Sequence, residues 1–455
     1  MKKGFVLHVR DFGKLKTVDI NVAPVTFFVG DNNSGKSYLM ALLYSLLNMR
    51  LFRQEYDLCV ESKEYQRCQS WIEENFSLAS ESPNIRELDD DTQLCFQELL
   101  NLILMQNREK LMLSTFNSSV KIGEISIEFP KRNNCVTKFY SKTWEDDEES
   151  GHLYQLFLKI GNKTYTSSRA PKVNTPFFIC AILEFLLKAD FKTELLKPAC
   201  FLPTSRTGFL LTYKSLLQAT ITDAYDLHDE NMSRTELTRP CTDFLKNLAT
   251  VSLDNKNDKF QPIIEFIENH MIGGHISVSQ EAPQATVRYR PSHAEYDLPM
   301  QLTSGVVTEL TPLILMLQHH SEMKVLFMEE PEMGLHPGLQ LKMAQVLLRI
   351  YSTGMPIFVT THSDTILQHI NNMLKLGSLD KELQQSIMEE LGYIPEDLIP
   401  ADEIEMYQFN GDNFSQKSTV EKLEKGPYGF IVPSFNDVLR ELLSISLRME
   451  PDDDV

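Results

Sequence analysis

No stretch of this chain approaches 18 consecutive apolar residues, which excludes a membrane-spanning helix. The opening MKKGFVLHVRDFGK also lacks the apolar run of a secretory signal. Positive charge is in short supply: 44 Lys and Arg stand against 63 Asp and Glu, a net charge of −19. That balance excludes coating nucleic acid through a broadly basic surface, since such binding rests on cations neutralising phosphates. A local basic groove, and with it nucleic-acid binding, stays open. Cysteine is sparse. The seven (Cys59, Cys68, Cys95, Cys135, Cys180, Cys200, Cys241) are odd in number and contain no C-x-x-C pair, which excludes a disulfide framework or a zinc site. No internal repeat occurs. The expectation is a soluble, cytoplasmic protein with no membrane partner. Its 455 residues, 42% hydrophobic and 24% charged, suffice for two or more globular subdomains.

What is present centres on Val25 to Leu47, VTFFVGDNNSGKSYLMALLYSLL. It reads as a short apolar strand, a Gly-rich turn and a helix. Gly30, Asn33, Ser34, Gly35, Lys36 and Ser37 fit the phosphate-binding pattern G-x-x-x-x-G-K-[ST]. A loop of this length turns successive backbone N–H groups inward to cradle phosphate oxygens. The helix N-terminus adds partial positive charge. Lys36 can reach the β- and γ-phosphates of ATP, and the Ser37 hydroxyl can coordinate Mg²⁺. By residue usage alone the bare pattern arises in roughly one or two chains per hundred of this length. The strand before and the helix after lower that further.

Around this stretch the chain alternates in character. Strands are expected at 5–10 and 16–22, then a polar helical region over 50–115, with helical periodicity from Asp91 to Leu113 through Leu94, Leu99, Leu100, Leu102 and Leu104. Further strands are expected at Lys121–Phe129, Leu153–Thr166 and Ala199–Pro203, with an apolar helix at Phe177–Leu187 and an acidic loop at Glu145–Glu149. Tyr213–Leu253 reads as a polar helical arm, followed by strands at 275–280 and 285–290. From Lys324 strands and helices alternate: strands Val325–Met328 and Pro356–Thr360, helices Gly338–Tyr351 and Asp364–Leu374. Such alternation implies a mostly parallel sheet. Short strands at 403–409 and 415–420 and a helix at Phe435–Met449 follow.

Three further motifs carry chemistry. Glu329 and Glu330 stand at the end of the strand Val325–Met328, where α/β folds place ligands. One carboxylate can bind Mg²⁺ and the next can polarise an attacking water; the bland alternative is a charged turn. His362, at the end of the next strand, can donate to a γ-phosphate, while Ser363 or Asp364 caps the following helix. Ser304 and Gly305 open another helix and form a further potential anion site, or simply a cap.

Taken in order, GDNNSGKSYL (30–39), FLPTSRTG (201–208), LTSGVVTELTPL (302–313), FMEEPEMGLHP (327–337), TTHSDTIL (360–367) and GFIVPSFNDVL (429–439) resemble the OLD-like branch of the ATP-binding-cassette ATPases, the AAA15/AAA21 type. The resemblance covers most of residues 1–48 and 197–440. It implies an α/β fold: an ABC-type phosphate-loop ATPase head with a mixed, mostly parallel sheet, an antiparallel β lobe and inserted helical regions. It divides the chain into a head (1–48, 197–212, 271–449), insertions at 49–196 (helical, then β/α) and 213–270 (helical), and a disordered tail (450–455).

The resemblance also implies roles. ATP and Mg²⁺ are the cofactors, Ser37 and Glu329 the metal ligands, Glu330 and His362 the catalytic residues. Ser304 and Gly305 would complete a neighbouring subunit's site, so a homodimer or a dimer-based higher oligomer follows. The signature reads TSGVV instead of the transporters' LSGGQ, Glu329 stands where Asp is usual, and 268 residues separate Lys36 from Ser304. That spacing disfavours a transporter ATPase. Only 93 residues follow His362, without a strand-linked Glu plus spaced Asp pair of a Toprim domain and without a His-Asn-His nuclease pattern. The expectation is an ATPase subunit of a bacterial anti-phage defence system, responding to a phage-encoded trigger and controlling a separate Toprim or HNH effector. The alternative is a DNA-repair or DNA-clamping ATPase of the SMC/RecF type, although sustained heptads and a basic stripe are missing.

Overall fold

The computed structural model describes residues 4–51, 56–131, 135–144, 153–161, 163–168, 171–188, 199–225, 237–251, 258–281, 284–320, 322–411, 417–426, 429–433 and 443–445. The runs Val25–Gly30, Ile357–Thr361, Val325–Glu329 and Ala199–Leu202 are buried at every position. Runs of that kind need cover on both faces, which a parallel sheet flanked by helices supplies. With Ile404–Gly411 they form five adjacent parallel strands. Side chains alternate between two cores. Phe28, Phe201, Phe327, Phe358 and Tyr407 pack on one face. Phe27, Val29, Leu326, Met328, Val359 and Met406 pack on the other.

The full order across this nine-stranded sheet is Glu124–Glu128, Val6–Phe12, Leu15–Asn21, Ser418–Lys422, Ile404–Gly411, Val25–Gly30, Ile357–Thr361, Val325–Glu329, Ala199–Leu202. The first three strands pair antiparallel, as do Ile404–Gly411 and Ser418–Lys422; one parallel bridge, Ser418 to Leu15, joins the two parts. The architecture is therefore the expected α/β class, a mixed sheet with a parallel centre and an antiparallel wing.

The strand Glu124–Glu128 comes from within 49–196 yet forms the edge of this sheet, with Ile125 and Ile127 buried and Glu124 and Glu128 exposed. Four other strands of that region build a separate antiparallel sheet, Asn84–Glu87, Val136–Trp144, Leu153–Ile160 and Lys163–Ser167, beside its helices. Sequence reasoning gave no strand at 84–87 or 136–144. The helical periodicity over 91–113 resolves into two helices, Asp90–Gln106 and Arg108–Phe116, broken where the Asn107 amide bonds both backbone groups of Asp57. The buried stripe is Phe96, Leu99, Leu100, Ile103 and Leu104, whereas Leu94 lies in solvent.

The arm expected at 213–253 starts earlier, as Arg206–Tyr225, and resumes as Arg239–Ala249; residues 226–236 lie outside the described residues. The strands at 274–281 and 284–291 form a hairpin in a third sheet. Helix Gln261–Ile267 falls within the helical insertion expected at 213–270; helix Lys381–Leu391 has no counterpart among the expected elements and fully buries none of its residues, with Ile387 and Met388 only partly covered. The expected acidic loop and tail, and most of the expected helix 435–449, lie outside the described residues.

Candidate active site

Parallel strands place all their C-terminal ends on one side of the sheet, and adjacency decides which loops meet there. Ile357–Thr361 lies between Val25–Gly30 and Val325–Glu329, with Thr361 opposite Val29 and Thr360 opposite Glu329. The loops after these three strands therefore converge, although the one after Gly30 lies about 300 residues before the other two in the chain.

The phosphate loop needs its glycines. Gly30 has φ +118, and a Cβ there would stand 2.1 Å from the carbonyl oxygen of Phe409. Gly35, φ +102, precedes the first residue of helix Lys36–Leu47 and packs on Leu15 where a Cβ would go. Both positions combine left-handed backbone with a close approach that side chains forbid. The Lys36 ammonium is buried and curls back over its own loop, donating to the carbonyls of Gly30 (3.0 Å) and Asp31 (2.5 Å), with the Ser34 hydroxyl at 3.4 Å. Burial lowers its pKa to about 8, against the opposing pull of Glu330, Asp31 and Glu332.

The two strand-end glutamates differ. Glu329 is buried; burial raises its carboxyl pKa, and the Ser37 hydroxyl and the Thr204 amide hydrogen bond to it. Glu330 is half-exposed and has φ +42, a left-handed conformation that costs a non-glycine residue about 1–3 kcal/mol. Its amide donates to the Thr360 carbonyl at 2.8 Å, and its carboxylate stands 3.8 Å from His362 Nε2. Burial, then the charge of Lys36, depress the His362 pKa, so the ring is neutral near pH 7. His362 follows strand Ile357–Thr361, and Ser363 caps the next helix by accepting from the Ile366 amide at 3.0 Å.

Sequence reasoning missed three participants. Glu332 accepts from the Thr361 hydroxyl (2.8 Å) and the His362 amide (2.5 Å), fixing the backbone that presents the histidine. Arg206, part of the motif FLPTSRTG but given no role, is fully buried beneath the glutamates. Ser118–Val120, from within 49–196, line the same cavity as the phosphate loop; no local pattern marks them. That cavity, about 490 Å³, is bounded by Asn32–Tyr38, Phe12–Leu15, Ser118–Val120, Glu330, Thr360 and His362. Its volume falls within the range that holds cofactor-sized ligands.

Ser304 and Gly305 are not in that cavity. They are exposed at the start of helix Gly305–His319, with the Ser304 hydroxyl accepting from the Val307 amide at 3.5 Å. A Cβ at Gly305 would meet nothing within 4 Å.

The donors fit Mg²⁺ and a polyphosphate. Ser37 and Glu329 bring hard oxygens together, and no cluster of three or more His, Cys, Asp or Glu that could hold a metal occurs among the described residues. Mg²⁺ prefers one or two protein oxygens with phosphates and waters over an all-protein cage.

A family model described as an AAA ATPase domain matches residues 6–367. Among solved structures, the SmcHead bound to the C-winged helix domain of ScpA is 11% identical, covers 92% of this chain and 97% of its own, and has a TM-score of 0.37. The Smc head domain with an extended coiled coil bound to the C-terminal domain of ScpA, derived from Pyrococcus furiosus, is 12% identical over 97% and 99%, with a TM-score of 0.34. The SMC head domain from Thermotoga maritima is 11% identical over 93% and 100%, with a TM-score of 0.31. No curated protein matches the chain significantly.

Proposed function

Because the chain belongs to the AAA ATPase domain family and carries an α/β phosphate-loop fold, we propose that it binds and hydrolyses ATP in a composite site shared between subunits. The observation that carries this reading is the convergence of Lys36, Ser37, Glu329, Glu330 and His362 on one side of the sheet. The amides of Gly30–Ser37 and the Lys36 ammonium hold the phosphates. Lys36 exchanges the loop carbonyls for phosphate oxygens when nucleotide enters. Mg²⁺, when bound by Ser37 and Glu329, neutralises phosphate charge. Glu330 orients and polarises the attacking water, and the neutral His362 donates to the γ-phosphate. The exposure of Ser304 and Gly305 supports their use by a second subunit of a homodimer, with two sites at the interface.

Glu330→Gln is expected to bind ATP with unchanged affinity and to hydrolyse it about 100-fold or more slowly, because it keeps the shape and removes the charge acting on water. Single-turnover hydrolysis together with equilibrium nucleotide binding measures both. Wild-type turnover would move the role to another carboxylate.

In motif style the chain resembles AriA, the ATPase of the PARIS anti-phage system, and next PtuA of Septu. On that resemblance its hydrolytic cycle senses a phage-encoded trigger and controls a separate Toprim or HNH nuclease in the cytoplasm. The purified protein alone is then expected to cleave no DNA with Mg²⁺ or Mn²⁺. Cleavage that co-purifies with the protein and is lost on mutating an acidic residue outside the ATP cavity would overturn the separate effector.

A further inference from the structure

The Arg206 side chain is fully buried and has no part in the mechanism above. It follows strand Ala199–Leu202 and opens helix Arg206–Tyr225. Its Nη1 donates to the carbonyls of Glu329 (2.5 Å) and Pro203 (3.1 Å), and its Nη2 to the carbonyl of Glu330 (3.0 Å). Consecutive carbonyls of an extended strand point to opposite sides. The left-handed backbone at Glu330 turns both toward one guanidinium, and a planar fork with several donors is what can hold them there. A strained non-glycine conformation persists only where its surroundings over-determine it.

The same Nη2 stands 2.5 Å from Glu309 Oε1, an ion pair off the hydrogen-bonding direction, since that oxygen lacks an aligned donor among the described residues. The Thr207 hydroxyl donates to Glu309 Oε2 at 2.7 Å and lies 3.1 Å from the Thr308 hydroxyl. Glu309 sits one turn inside the helix that begins at exposed Ser304 and Gly305. A continuous polar path thus runs from that helix, through Glu309 and Arg206, to the backbone of Glu330.

We propose that Arg206 is a positioning residue that sets the backbone of Glu330, and that Glu309 makes this setting depend on the helix starting at Ser304. The proposal rests on the ATPase reading and deepens it: contact at Ser304 and Gly305 is relayed within one subunit to the carboxylate that acts on water. Arg206 is fully buried and does not line the cavity, so its effect falls on the rate of hydrolysis and spares ATP affinity.

The test is Arg206→Lys, which keeps the charge and loses the fork, with Thr207→Val as a milder break that leaves the buried ion pair in place. In Arg206→Lys, kcat is expected to fall about 10- to 100-fold while KM and the equilibrium Kd for ATP stay within about twofold, the signature of misplaced reacting groups. Thr207→Val should show a smaller loss of the same kind. Combined with Glu330→Gln, either change should add no further loss, because both act through one carboxylate. Additive losses, a parallel fall in ATP affinity, or full activity of both variants would overturn the proposal. Where Arg206→Lys does not fold, Thr207→Val alone decides by the same criteria. Glu330→Gln with wild-type turnover would take the role from Glu330 and overturn this proposal while the protein stays an ATPase; absence of ATP hydrolysis by the wild type would overturn the ATPase reading itself; a slow Glu330→Gln with additive Arg206→Lys overturns only this proposal.

Discussion

Lys36→Ala is expected to abolish ATP binding and leave the fold intact. Among the described residues the ammonium bonds only to its own loop and the strand end before it: the Gly30 and Asp31 carbonyls and the Ser34 hydroxyl. Its removal breaks one bond between the end of strand Val25–Gly30 and the start of the helix that the loop already joins to it. It also removes a charge that burial disfavours, which is why its pKa falls to about 8. The nucleotide-free variant should therefore melt within a few degrees of the wild type. With ATP the two should part. A ligand at about 100 times its Kd stabilises the native state by about 2.7 kcal/mol, which shifts melting by several degrees. The variant should show no such shift and no calorimetric binding. An equal ATP-induced shift in both proteins would remove the foundation of the ATPase reading.

Lys36→Ala and Ser304→Arg subunits, each inactive alone, are expected to regain ATPase activity when mixed. Within one subunit Ser304 and Gly305 are exposed and outside the cavity that holds Lys36. Open space at Gly305 suits close approach by another chain. Arginine at 304 removes a cap worth about 1 kcal/mol, too little to unfold a domain, and places a bulky cation where donors must approach a phosphate. A mixed dimer pairs the sound phosphate loop of the Ser304→Arg subunit with the sound signature of its partner. One of its two sites is then whole, so random 1:1 exchange should restore up to roughly a quarter of the wild-type rate. If each subunit used its own signature, no mixture would regain activity. A protein that stays monomeric in ATP and hydrolyses it at a rate independent of concentration would also sink the composite site.

The sequence by itself determined the parts whose chemistry is local. The phosphate loop is legible because spacing, glycines and a Lys-Ser pair act within eight residues, Gly30 to Ser37. The strand ends at Glu329 and Thr361 are legible because buried parallel strands read as continuous apolar runs. Only the tertiary structure decided which strand ends are neighbours. Alternation along a strand states which side chains share a face, and nothing in it names the strand alongside. That long-range choice puts Ile357–Thr361 between the phosphate-loop strand and the Glu329 strand. The edge strand Glu124–Glu128 and the cavity wall at Ser118–Val120 come from a region whose sequence carries no motif; pairing with Val6–Phe12 places the strand, and the wall lines the cavity beside the phosphate loop. Glu332 and Arg206 are the sharpest cases. A carboxylate and a guanidinium look alike in any sequence. Their roles arise from distances to the His362 amide and to the Glu329 and Glu330 carbonyls, which exist only once strands distant in the chain lie side by side.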